Sequence, residues 1–165
     1  MDSAVWGIVG TAVGALASIG TTWLSNRHAQ KLQTLTSLRE RQERFNAFQR
    51  ETLIDLQEAL HDALRLATQA HLEDEAAFHA GGTWNENVLS EDVNEGVRIA
   101  QRRVAILAER VADEKLRTEV VGLMAKVNAI TMSNSLQDSR SAWQESLTRL
   151  TLTSVSLGTT LRALY

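Results

Sequence analysis

The chain of 165 residues contains no cysteine and no proline, and aromatic residues make up only 5% of it. Without cysteine there is no disulfide framework, no thiolate metal site and no cysteine nucleophile. Average usage of about 5% would give roughly eight prolines in a chain of this length. Their absence favours long uninterrupted helices, because proline removes a backbone donor and breaks a helix interior. Glycine is missing from Thr21 to Ala80, and lysine and arginine are missing from Leu66 to Val97. No G-x-S-x-G, P-loop or G-x-G-x-x-G motif in a fitting context supports nucleophilic catalysis or phosphate binding. The composition therefore predicts a non-enzymatic protein with no cofactor and no evident small-molecule substrate.

The segment Ala4 to Leu24, AVWGIVGTAVGALASIGTTWL, is uncharged and mostly apolar. A hydrocarbon core needs about 20 helical residues to cross, and Trp6 and Trp23 lie about 25 Å apart along a helix axis. That separation suits the two interfacial aromatic belts. Only Asp2 precedes the run, whereas Arg27, Lys31, Arg39, Arg41, Arg44 and Arg50 follow it against Glu40 and Glu43. The positive flank belongs in the cytoplasm, so the N-terminus is placed outside. Arg27 and Lys31 join Trp6 and Trp23 as expected interface anchors. A cleaved signal peptide fits less well, since its basic region would precede the apolar run. Gly10, Gly14 and Ser18 form a small-residue ridge of the kind that lets membrane helices pack closely.

Residues 1–26 are thus read as a transmembrane helix, 27–44 as a basic juxtamembrane stalk and 45–165 as a cytoplasmic helical bundle. The fold class is all-α: a membrane helix continuing into a long stalk helix, then an antiparallel bundle of three to four helices. Leu32, Leu35 and Leu38 give the stalk a thin apolar stripe. Phe45, Phe48, Thr52, Leu56, Leu60, Ala63 and Ala67 continue at helical spacing as a core-facing stripe. Gly81 and Gly82 end this first helix. The next starts at Thr83, which has capping-box spacing to Glu86, or at Ser90. Leu89, Val93, Val97, Ala100, Val104, Leu107 and Val111 mark its buried face. Asp113 caps a further segment with Leu116, Val120, Leu123, Val127 and Ile130 on one face. With neither Gly nor Pro at that junction, a kink is favoured over a full reversal. Ser133 to Ser141 reads as a linker. The last helix carries Trp143, Leu147, Leu150, Leu157, Leu161 and Leu164, and its TLTSVSL stretch is read as helix because no partner strand exists for it.

Two constellations resemble metal half-sites. Glu58 and His61 form one E-x-x-H pair, where a di-iron bundle needs two pairs and further carboxylates. His71, Glu75 and His79 are spaced i, i+4, i+8, which spreads all three over about 12 Å, too far for one ion. No metal is expected. The acidic window around the Gly81–Asn85 turn offers a different role. Trp84, with Glu73, Asp74 and Glu75, is a candidate docking tip for a partner, since Trp is enriched in interface hot spots. The competing reading folds Trp84 back as a hydrophobic staple over the second helix.

The segments FQRETLIDLQEALHDALRL (48–66) and AQRRVAILAERV (100–111) resemble a group of uncharacterised bacterial proteins with one N-terminal membrane helix, a basic stalk and a cytoplasmic helical bundle. The resemblance implies a bacterial plasma-membrane location and carries no activity and no catalytic residues. Expected partners are membrane lipids and either a homo-oligomer or a larger membrane protein complex. Nucleic acid is not expected, because the chain carries a net charge of −3. The function expected is that of a scaffold or accessory subunit. Alternatives are a signalling or defence protein with a stimulus-responsive bundle, or a soluble helical oligomer of phage type.

Overall fold

The computed structural model describes the backbone of residues 2–84, 86 and 89–165, and the side chains of residues 14, 30, 32–84, 86 and 89–165. Among the described residues the chain forms four helices: α1 (Asp2–His79), α2 (Glu91–Arg110), α3 (Glu114–Met132) and α4 (Leu136–Arg162). It divides into two compact units, Met1–Phe45 and Asn46–Tyr165. The all-helical class read from the missing prolines is therefore correct.

The first unit consists of the N-terminal part of α1. Leu32, Leu35, Leu38 and Phe45 are all exposed on it. Among the described residues no helix is long and apolar enough to cross a membrane. The side chains of Trp6, Gly10, Ser18, Trp23, Arg27 and Lys31 lie outside the described residues, as does most of the apolar run. Gly14 is exposed, and a Cβ placed on it meets nothing within 4 Å.

The second unit is a four-helix bundle. α1 buries Leu53, Leu56, Ala59, Leu60, Ala63, Leu64 and Ala67 in its core. Phe45 and Phe48 sit at the start of the expected core stripe, yet both are exposed. The stripe becomes a core face only at Gln49 and Thr52, which are buried. The helix ends as its glycines require. Gly82 N–H donates to the Ala77 carbonyl and Gly81 N–H to that of Phe78, with Gly81 at φ 96°. This paired closure needs a left-handed residue at the position after the cap, where a side chain is strained.

α2 starts after Ser90 and not at Thr83. Glu86 N–H meets the Thr83 carbonyl at 3.4 Å, but the helix itself begins at Glu91. α2 buries Val93, Ala100, Val104 and Leu107, four of the seven residues expected on its face, and Val111 is buried just beyond its end. The junction to α3 is a reversal. Gln101, in the middle of α2, donates to Asn128, near the end of α3, at 3.0 Å, which only two helices folded back on each other allow. Asp113 caps α3 as expected, accepting from Leu116 N–H at 3.0 Å. The reversal is held by Gln49 of α1: its amide donates to the Arg110 carbonyl at 2.9 Å and accepts from Ala112 N–H at 3.0 Å. A side chain more than sixty positions away thus satisfies the backbone groups that the turn leaves open.

All five residues expected on the inner face of α3 are buried. The linker before α4 is shorter than expected, since Ser135 already caps the helix. Its hydroxyl accepts from Asp138 N–H at 3.1 Å and donates to the Asp138 carboxylate at 2.7 Å. α4 faces the core mainly through small residues, Ser139, Ala142, Ser146 and Thr153, together with Leu150 and Leu157, while Leu147 is exposed. The TLTSVSL stretch is helical throughout.

Candidate functional site

Titratable and aromatic side chains converge where the end of α1, the 80–90 connection, the end of α3 and the start of α4 meet. His71, on the buried face of α1, is only 4% exposed. Its Nδ1 is 2.7 Å from Ser139 Oγ on α4, and that hydroxyl donates to the Ile130 carbonyl at 2.8 Å. Its ring stacks on Trp143 at 6.3 Å between centroids and lies tilted against Trp84 at 5.7 Å. Each indole N–H is satisfied: Trp84 donates to the Ser133 carbonyl at 2.9 Å and Trp143 to Thr68 Oγ1 at 3.0 Å.

Glu75 lies one turn beyond His71. Its carboxylate pairs with Arg140 of α4 and is 3.5 Å from Nε2 of His71 and 3.6 Å from Nε2 of His79. The hydrogen bond from Arg140 holds the Glu75 carboxyl below the usual carboxylate range. Burial pushes the His71 imidazole below its ordinary value. Glu75 and Asp74 oppose this shift, whereas Arg140 adds to it. Thr68, His71, Glu75, Arg140 and Trp143 help to line a cleft of about 330 Å³.

The Ser139–His71 distance matches that of a nucleophile and its base, but the roles differ. A catalytic serine donates to the imidazole and faces substrate, whereas Ser139 spends its proton on Ile130 and is 0% exposed. This pair is a structural tie. The His71, Glu75 and His79 trio is brought together, yet a guanidinium occupies the carboxylate between the rings. Among the described residues no group of three or more histidines and acids is placed to hold a metal ion. Glu58 instead faces Arg103 at 3.7 Å.

The four candidates for a docking tip are turned to internal use. Trp84 is 8% exposed, so its ring is not an anchor offered to a partner. It folds back, as the competing reading has it, and packs on His71 and edge-on to Phe78 at 6.1 Å. Glu73 receives the Ser90 backbone N–H and hydroxyl, both at 3.0 Å, and so supports the start of α2. A carboxylate there also complements the helix dipole. Asp74 is 6% exposed. Glu75 is held by Arg140.

A second concavity lies on α2. Ile99 and Ile106, one heptad apart on the outer face of α2, are 54% and 45% exposed. With Arg98, Arg102, Arg103 and Arg110 they line an open groove of about 430 Å³. Sequence reading missed it, although two isoleucines off the buried stripe and flanked by arginines were the available signal.

No family model matches the chain, and no curated protein or solved structure matches it either.

Proposed function

We propose that the chain is a non-enzymatic, membrane-anchored scaffold or accessory subunit of the bacterial plasma membrane. Residues 1–26 serve as its anchor, and the bundle is presented in the cytoplasm to a protein partner. The observation that carries the partner role is the α2 groove. Isolated surface isoleucines are ordinary, but two of them one heptad apart inside a frame of four arginines have the composition of an interface core with a charged rim. The occupant that fits is an acidic segment of a partner protein bearing apolar side chains, whose carboxylates meet Arg102 and Arg110. The anchor reading is supported by the uncharged run, its bracketing tryptophans and the basic flank.

The test uses the full chain. Recovery in membranes after carbonate washing supports the anchor, and release into the supernatant overturns it. Purification in mild detergent should retain one stoichiometric partner. The Ile99→Asp/Ile106→Asp variant should lose that partner while keeping its melting profile, because neither side chain is in the core. Equal retention by both proteins would remove the groove from the interface. A second reading, a bundle that changes packing on a stimulus, is favoured by the buried His71 between two tryptophans; its test is the pH dependence given below.

A further inference from the structure

The first unit is a single helix, and it exposes more large apolar side chains than a solvated helix keeps. Leu32 is 65% exposed, Leu35 54%, Leu38 55% and Phe45 47%. Leu35, Leu38, Gln42 and Phe45 step by three, four and three residues. That is the 3.5-residue period of a coiled-coil seam, with Leu35 and Gln42 at a and Leu38 and Phe45 at d. The same spacing continues in sequence through Gln49 and Thr52, whose side chains are buried.

We infer that this stripe is covered by the same stripe of a second copy of the chain, in a parallel two-stranded coiled coil over residues 32–45. A heptad seam is self-complementary: each a or d knob fits the hole made by its own repeat in the other strand. The flanking charges choose the orientation. With Arg39 at e and Arg41 at g, a parallel pair sets Arg41 against Asn46 and Arg39 against Thr34 of the second copy, with no like charges facing. An antiparallel pair with full overlap sets Arg39 against Arg39 and Arg41 against Arg41, which opposes association. A polar residue at a single a position, here Gln42, fixes strand register. Two heptads bury little surface, so this segment acting alone associates weakly and reversibly. The inference names the partner for the stalk and does not require the membrane anchor.

The chain has no cysteine, so one introduced thiol reports one position. Full-length Leu35→Cys, Leu38→Cys and Glu40→Cys proteins are oxidised under dilute conditions. Residues facing the seam bring their Cβ atoms within disulfide reach, whereas Glu40 at f points away. Leu35→Cys and Leu38→Cys should form covalent dimers at least about 10-fold faster than Glu40→Cys. Equal rates at all three positions overturn the seam. A Leu35→Cys protein that links to a Phe45→Cys protein but not to itself overturns the parallel orientation. Sedimentation of the Leu35→Asp/Leu38→Asp protein supplies an independent readout. It should be monomeric at concentrations where the parent chain is a dimer, with an unchanged melting profile for the bundle. A parent chain that stays monomeric at the highest concentration that sedimentation can follow, or a variant that stays dimeric, overturns the proposal. Carbonate extraction of the same variant separates this outcome from that for the anchor.

Discussion

His71 Nδ1 donates its proton to Ser139 Oγ over 2.7 Å, because the single hydroxyl proton of Ser139 is already committed to the Ile130 carbonyl at 2.8 Å. The relationship ties three helices together and fixes the tautomer of the neutral ring. Nε2 then carries a lone pair directed towards the Glu75 carboxylate at 3.5 Å. A second proton on the ring would turn that contact into an ion pair, but it would also place a charge in a site 4% exposed.

Burial outweighs Glu75 and Asp74, and the His71 pKa in the bundle lies below the ordinary value of 6.5. The unfolded chain therefore takes up a proton near pH 6.5 that the folded chain refuses. Stability is full above that pH and falls as pH drops through 6.5 towards the folded-state pKa. Glu75, held below its ordinary 4.5, titrates outside this window, and Asp74 acts in the opposite direction. Urea midpoints at pH 7.5 and 5.5 should fall more for the parent chain than for His71→Gln. Parallel falls would show that His71 does not carry the pH response.

Asp74 is a buried carboxylate whose Oδ1 has no hydrogen-bond partner among the described residues. Burial pushes its carboxyl above the ordinary 3.8, against the pull of His71. A raised carboxylate pKa means that the folded state holds a proton more tightly than the unfolded one, so the charged form costs stability at high pH. Asp74→Asn keeps the shape and removes the charge. It should stabilise the bundle by about 1 kcal/mol at pH 8, and the gain should shrink towards pH 4 as the parent residue protonates. A loss of stability at pH 8 would mean that the carboxylate is serving an interaction that the geometry lacks.

Some of this was legible in the sequence for a definite reason. Leu116, Val120, Leu123, Val127 and Ile130 are large, regular and all buried, so periodicity alone identified the inner face of α3. The inner face of α4 was hidden because Ser139, Ala142 and Ser146 contribute closeness instead of hydrophobicity, and they enter no apolar stripe. The sequence favours a kink at Asp113 over the reversal, because the partner that stabilises the reversal, Gln49, is remote in sequence. The sequence allows both an exposed and a folded-back Trp84, because nothing local announces the Ser133 carbonyl that receives its N–H. The spacing of His71, Glu75 and His79 places them on one side of α1, but Arg140, which decides what the group does, lies on another helix.

Gln49→Ala tests the remote clamp. It strips a partner from the Arg110 carbonyl and another from Ala112 N–H, both at a turn that α1 covers. Losing a side chain that satisfies two backbone groups should cost about 1–3 kcal/mol. Amide exchange at Ala112 should accelerate more than at Val120 in the middle of α3. Uniform acceleration across α3 would indicate a global loss and not a local clamp. Gln49→Glu retains the acceptor for Ala112 but sets a buried carboxylate oxygen against the Arg110 carbonyl, and at pH 7 should be destabilised at least as much as the alanine variant.

Trp84 separates packing from docking. The ring is 8% exposed, contacts His71 and Phe78, and hydrogen-bonds the end of α3 through its indole N–H. Trp84→Phe keeps much of the apolar contact and leaves the Ser133 carbonyl unpaired, a loss of about 1 kcal/mol. Trp84→Ala also opens a cavity beside His71 and should cost about 3 kcal/mol or more. Water entering that cavity hydrates the imidazole, so the burial that holds its pKa down is relieved. The His71 titration followed by NMR should therefore move up towards 6.5 in Trp84→Ala and hardly move in Trp84→Phe. A ring that merely projected into solvent for a partner would change neither the stability nor the titration when truncated.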